Sequence, residues 1–185
     1  MLFADVRGYT RLTEEMSPAE VPDLMNRFYE TASSALLRHD ALLGQIEGDN
    51  VMALFLPGFA GRDYKARAVE AGRELVRAVG VESDFGFDIG VGIATGEEFV
   101  GNVGGGGYKD FTALGDVTNT AARLTAQAAP GDVLVDAETY AAVAPSYPLA
   151  SRRELELKGK AAPVEAYVIR APNGTLRATT EGGST

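Results

Sequence analysis

Residues 41 to 55 read ALLGQIEGDNVMALF. Two apolar runs, Leu42 to Ile46 and Val51 to Phe55, flank Gly48-Asp49-Asn50, which is the composition of two antiparallel strands joined by a tight turn. Such a hairpin lifts one carboxylate, Asp49, to its tip. Gly-Asp is ordinary turn chemistry, so this stretch alone speaks for topology and not for function. A second carboxylate changes that. Asp5 ends another run, LFADV, and is followed at once by the loop Arg7-Gly8-Tyr9-Thr10. Two strand-end carboxylates with a Gly-containing loop beside one of them are what a magnesium-nucleotide site needs. Mg²⁺ takes one or two carboxylates plus phosphate oxygens, and the N–H groups of a turn hold the phosphates.

Composition narrows the rest. A chain of 185 residues with 45% hydrophobic content supports one sizeable core, and the division expected is a single domain over residues 1–170 followed by a polar, disordered tail over 171–185. The tail contains Asn173-Gly174-Thr175, a chance glycosylation match in a cytosolic chain. There is no cysteine, which excludes a disulfide framework and a cysteine-based zinc site and fits a reducing, cytoplasmic location. No apolar stretch has the length of a membrane span. Met1 lies almost inside the first strand, so an upstream sensor or membrane-attached module is expected in a longer protein. The net charge of −9 argues against binding nucleic-acid polymers through their phosphates. An anionic ligand must be held by local cations or metals.

Outward from the hairpin, helices and strands alternate. Ser17-Pro18-Ala19-Glu20 reads as a capping box with Ser17 as N-cap. The following helix runs to about Arg38, with Val21, Leu24, Phe28, Ala32, Ala35 and Leu36 on one face and Pro22 as a possible kink. The lone histidine, His39, sits at its end, where it can meet the last carbonyls. After Pro57-Gly58 a second helix spans Asp63 to Val79 and is ended by Gly80. FDIGVGIA, Phe87 to Ala94, alternates strictly and leaves Gly90 and Gly92 on one face, so either a helix or a ligand approaches the backbone there. A strand over Glu98 to Val103, a hairpin tip at Gly104 to Gly107 and a strand over Tyr108 to Leu114 come next. The glycine run lacks the Lys-Ser/Thr of a P-loop. A helix over Asp116 to Ala128, a strand over Val133 to Asp136, a short helix over Glu138 to Val143 and strands over Leu155 to Lys158 and Val164 to Ile169 complete the chain. This order is a split βαβ pattern: an α+β, ferredoxin-like βαββαβ sandwich with helices on one face of an antiparallel sheet, extended by C-terminal strands.

Leu114-Gly115-Asp116 ends a strand and opens a helix, with Asp116 as a good N-cap. Within that helix Asn119 and Arg123 stand four residues apart and share a face. One reading is a solvated face of an amphipathic helix. The other is an amide that orients a sugar and a guanidinium that stabilises charge on a phosphoryl transition state.

FADVRGYT, GQIEGDNVMALF, GVGIATGEEFVGNVG, DFTALGDVTNTAARL and LKGKAAPVEAY, in this order, resemble the catalytic domain of class III nucleotidyl (adenylate/guanylate) cyclases, from about Leu2 to Ile169. The resemblance implies conversion of ATP, or also GTP, to the 3′,5′-cyclic nucleotide and pyrophosphate. It implies that Asp5 and Asp49, with the Val6 carbonyl, hold two Mg²⁺ or Mn²⁺ ions per site. It further implies that the backbone at Gly8, Tyr9 and Thr10 holds the β- and γ-phosphates and that Lys158 meets the terminal phosphates. Asn119 and Arg123 correspond to the transition-state residues, which in the family reach the substrate from the other protomer of a homodimer with composite sites.

One position departs from the family. Adenylate cyclases carry Lys, and guanylate cyclases Glu, where this chain has Gln45, and the partner position is Thr112. Lys donates to adenine N1 and Glu accepts from guanine N1–H, whereas an amide can do either without charge. Gln45 is also the one residue that speaks for the alternative of a degenerate cyclase domain, binding nucleotide or regulating an attached module with little turnover. A diguanylate cyclase is a poorer match, because Glu47-Gly48-Asp49-Asn50-Val51 stands where its Gly-Gly-Asp/Glu-Glu-Phe signature would be.

Overall fold

The structure, a computed structural model, describes residues 1–80, 83–107 and 110–170. Strand β1 (Leu2–Val6) leads through helices α1 (Tyr9–Glu15) and α2 (Glu20–Leu37) into the hairpin of β2 (Leu42–Glu47) and β3 (Asn50–Leu54). Helices α3 (Pro57–Ala60) and α4 (Tyr64–Val79) return the chain to β4 (Ile89–Ile93). The hairpin β5 (Phe99–Val103) and β6 (Asp110–Leu114), helix α5 (Asp116–Gln127), strand β7 (Asp132–Asp136), helix α6 (Ala137–Val143) and strands β8 (Ser151–Leu155) and β9 (Val164–Arg170) follow. Seven strands form one sheet in the order β2-β3-β1-β4-β7-β9-β8, and β5 with β6 forms a separate two-stranded ribbon. The first four strands give the βαββαβ core, and the α+β class expected from the sequence holds. The β4–β7 pair is parallel, so the sheet is mixed: the chain leaves the sheet after β4 and returns alongside it through the β5–β6 ribbon and α5.

Alternation along β1 and β4 sorts the two faces. Leu2, Ala4 and Val6 join Ile89, Val91 and Ile93 in a core filled by Phe28, Ala32 and Leu36 of α2 and Val69, Leu75 and Val79 of α4. The apolar spacing of both helices therefore faces the sheet, as period 3.6 requires. On the opposite face, Ala121 and Leu124 of α5 and the following Ala128 pack on Leu134, Ala166 and Val168, with Phe3 of β1 beside them. The helices are thus not confined to one face, as the sequence pattern suggested. The glycine face of β4 explains the arrangement. A Cβ at Gly92 would collide with the Ala121 carbonyl and the Thr125 amide, so this bare position lets α5 lie directly on the strand, while Gly90 makes room for the Arg7 side chain.

Several local expectations shift. The Glu20 carboxylate accepts from the Ser17 N–H at 2.9 Å, half of the capping box, but regular helix begins at Glu20 itself. Pro22 lies in its first turn, where no intrahelical donor is lost, and produces no break. Asp116 does not cap α5. Gly115 holds the N-cap position, and Glu98 reaches across to accept from the Thr118 N–H at 2.9 Å and its hydroxyl at 2.8 Å. The strand expected over Leu155 to Lys158 lies earlier, at Ser151–Leu155, because it is an edge strand with solvated charges and no apolar run to mark it. The first two residues of the strand expected from Tyr108, and the tail over 171–185, fall outside the described residues. Among the described residues no helix is long and apolar enough to cross a membrane.

Candidate active site

Asp5 sits at the end of β1, on the face that carries Phe3 and is covered by α5. Its Cα partners are Asn50 in β3 and Gly90 in β4. The β2–β3 turn brings Asp49 to it: Glu47 pairs with Asn50, so Gly48 and Asp49 alone make the turn. Gly48 takes φ of 58°, a left-handed value that a glycine adopts without strain. The turn is fastened twice, by the Val6 N–H donating to the Asp49 carbonyl at 3.1 Å and by the Tyr29 hydroxyl of α2 donating to the Gly48 carbonyl.

The Asp5 carboxyl responds to its surroundings. Burial, then the charge of Asp49, push the Asp5 carboxyl above its usual range, and Arg7 acts in the opposite direction. Burial, then Tyr9 and Asp49, likewise raise the Tyr29 hydroxyl. Two close carboxylates on a partly buried strand end call for a cation between them. Among the described residues no group of three or more acidic, histidine or cysteine ligands exists. A pair of carboxylates fits Mg²⁺ or Mn²⁺, which complete their shell with water and phosphate oxygens, and does not fit a metal that requires an all-protein cage.

Directly after Val6, the Arg7 N–H donates to the Asp88 carbonyl at 2.8 Å, and Gly8 opens α1. Tyr9 and Thr10 therefore occupy the first turn of a short helix and not a free loop, with backbone donors that have no partner within the helix. Sequence periodicity missed α1 because none of its residues is buried.

The second half of the site lies elsewhere. Asn119 and Arg123 leave the outer face of α5, the first exposed and the second half-buried. Arg123 lies over the turn that carries Lys158: its Nη2 is 3.2 Å from where a Cβ of Gly159 would stand. That turn is closed by the Lys160 N–H donating to the Leu157 carbonyl at 3.0 Å and pinned to α5 by the ion pair of Lys160 with Asp116. Lys158 itself is exposed. Among the described residues no hydrogen bond or ion pair joins Asn119 or Arg123 to Asp5 or Asp49. A cavity of about 250 Å³ opens beside α5, lined by Thr95, Asp116, Asp136 and Lys160 among others; the paired carboxylates do not line it.

Gln45 is re-aimed by an irregularity invisible in the sequence. Register in the β2–β3 ladder slips between Leu43 and Ile46, a bulge that turns the side chain toward the β5–β6 ribbon. There its amide donates to the Asp110 carboxylate. Thr112, the other position expected to bear on base choice, is half-buried opposite Gly101 in the same ribbon, two residues from Asp110 on the same face. Asp110 and Tyr29 are the residues that sequence reasoning did not single out, and no local pattern marks either.

The family described as the adenylate and guanylate cyclase catalytic domain matches residues 1–171. Adenylate cyclase 1 of Rhizobium meliloti is 29% identical over 200 aligned residues, covering 99% of this chain and 29% of that protein. Mycobacterial relatives of uncharacterized function are matched over 26% to 33% of their length. The chain therefore spans about a third or less of these relatives. Among solved structures, the adenylyl cyclase CyaB from P. aeruginosa superposes with a TM-score of 0.79 at 28% identity, covering 95% of this chain and 94% of that one. The guanylyl cyclase Cya2 superposes at 0.82 with 23% identity, covering 95% and 93%.

Proposed function

The chain belongs to the adenylate and guanylate cyclase catalytic domain family, and from that membership we propose that it converts ATP, with GTP as a second candidate, to the 3′,5′-cyclic nucleotide and pyrophosphate as a homodimer. The observation that carries this reading is the convergence of Asp5 and Asp49 at one end of the sheet, with the first turn of α1 beside them. Asp5, Asp49 and the Val6 carbonyl would hold Mg²⁺ or Mn²⁺, two per site. Metal bound there would acidify the ribose 3′-hydroxyl and offset charge on the phosphates.

The chain's own groups supply positioning and electrostatics. Backbone N–H groups at Gly8, Tyr9 and Thr10 grip the β- and γ-phosphates, and Lys158 adds a mobile cation for the terminal phosphates. Asn119 orients the ribose so that its 3′-oxygen faces the α-phosphate, and Arg123 stabilises the charge that builds as pyrophosphate leaves. Asn119 and Arg123, which among the described residues make no bond to their own chain's carboxylates, serve the partner's site in a two-fold dimer. Gln45 and Thr112 face the base, with Asp110 now joined to Gln45.

The test is direct. Incubated with Mn²⁺ or Mg²⁺ and ATP or GTP, the protein should release a cyclic nucleotide resolved by chromatography, and Asp49→Ala should abolish it. Tight, metal-dependent nucleotide binding without cyclic product would favour the alternative that Gln45 raises, a degenerate domain that binds nucleotide without turnover.

A further inference from the structure

Arg7 has a setting that the catalytic reading leaves unused. Its Nη1 pairs with Asp5 Oδ2 at 3.3 Å, and its Nη2 donates to the carbonyl of Thr125 in the last turn of α5. The guanidinium lies against the bare Cα of Gly90, where any Cβ would run into it. Its Nε is buried without an acceptor, and the side chain is only 20% exposed. Burying a guanidinium with an unmatched donor is costly unless strong negative potential surrounds it. Two sources are present. One is the Asp5–Asp49 pair. The other is the C-terminal end of α5, whose last carbonyls carry partial negative charge and attract cations.

The position matters because of what each partner does. Asp5 is one of the two proposed metal ligands, and α5 is the helix that carries Asn119 and Arg123. A guanidinium and a divalent cation compete for the same carboxylate oxygen, and the dication has twice the charge and coordinates at shorter range. We propose that Arg7 is a positioning residue that acts as the resident cation of the metal site: it holds Asp5 when no metal is bound, yields that carboxylate to an incoming divalent ion, and transmits the exchange to α5 through Thr125. In the dimer proposed above, α5 completes the partner's site. Metal entering one site would therefore be felt by the helix that serves the other, a coupling that is reciprocal by thermodynamic necessity. This role rests on the reading that Asp5 and Asp49 bind metal.

The experiment measures Mn²⁺ affinity of the full chain with a non-hydrolysable ATP analogue, by the electron paramagnetic resonance signal of free Mn²⁺. It also follows amide hydrogen exchange at residues 125–128 before and after Mn²⁺ addition. Wild type should bind Mn²⁺ and show altered exchange in that turn. Arg7→Met, which removes the competing charge, should bind Mn²⁺ about fivefold or more tightly and lose the exchange response. Arg7→Lys, which keeps the charge without the two-pronged reach, should bind Mn²⁺ like wild type and also lose the response; it decides the matter if the Met variant does not fold. Equal or weaker Mn²⁺ binding by Arg7→Met, or tightened binding by Arg7→Lys, overturns the competition. An exchange response that survives in both variants overturns the link to α5. Failure of wild type itself to bind Mn²⁺ overturns the metal site, a result distinct from any difference between variants.

Discussion

Asp5 and Asp49 are gripped from several directions, whereas Asn119 and Arg123 are left open. The first pair lies where β1 meets both β3 and β4, with the Asp49 turn tied by the Val6 N–H and by Tyr29. The second pair leaves the outer face of a helix whose inner face is welded to β4 at Gly92. Among the described residues, the side chains of Asn119 and Arg123 make no hydrogen bond or ion pair within their own chain. Nearby, Phe99 and Leu114, directly opposed in the ribbon, are 54% and 52% exposed, an apolar surface of the kind that partners cover. One pair is held within its own chain; the other, in the dimer proposed above, would be delivered to the partner's site.

The strongest way to break this contrast is complementation. Asp5→Ala and Arg123→Ala proteins should each lose about 10²-fold or more of their activity. Mixed after subunit exchange, they form heterodimers in which one site carries both lesions and the other carries neither. Recovered activity, up to half of wild type per heterodimer, is expected. No recovery despite demonstrated exchange would place all four residues in one site of one chain.

Next in size, Gly92→Ala tests the rigidity of the open half. The added methyl meets backbone of α5, which cannot yield as a side-chain tip can, so a loss of about 1–3 kcal/mol in urea unfolding is expected. Activity should fall by more than the unfolded fraction explains, because the helix that presents Asn119 and Arg123 is displaced. An unchanged urea midpoint would mean that α5 is more loosely seated than the contact indicates.

The sequence disclosed the finished half better than the open one, for a physical reason. Asp5 and Asp49 end local apolar runs, and the glycine alternation of β4 announced a close approach, although not which element would make it. The helical faces of α2 and α4 follow from spacing within each helix. Contacts between distant segments left no such trace. Glu98 caps α5 from twenty residues away, Tyr29 reaches Gly48 across the sheet, and β8 hides its strand character behind Arg152, Arg153 and Glu154. The bond of Gln45 to Asp110 goes with a register slip in β2 that no local pattern marks.

A smaller effect is expected at that position. Gln45→Lys offers adenine N1 a charged donor and should raise the ATP over GTP ratio of kcat/KM about tenfold, in line with ~1–3 kcal/mol for a good polar contact. A ratio that does not move would show that position 45 does not read the base.

Smallest is a pH effect on the metal-free protein. Asp5 titrates above its ordinary value of 3.8, through burial first and Asp49 second. Folding thus favours its protonated form, and this contribution is complete below the ordinary value and lost as pH rises through the raised one. In chelator, thermal stability of wild type should decline across that window, and Asp5→Asn should flatten the decline. An unaltered slope would assign the titration to another group.

The bulge in β2 has a consequence for how such a protein changes over generations. β2 is an edge strand of the sheet, and from Gln45 to Glu47 its residues are exposed, so a substitution at Gln45 removes no packing from the core. The residue proposed to face the nucleotide base is thereby uncoupled from the residues that keep the chain folded. If position 45 reads the base as proposed, a single exchange there would redirect which cyclic nucleotide is made at almost no cost in stability, whereas a side chain added at Gly92 meets the backbone of α5.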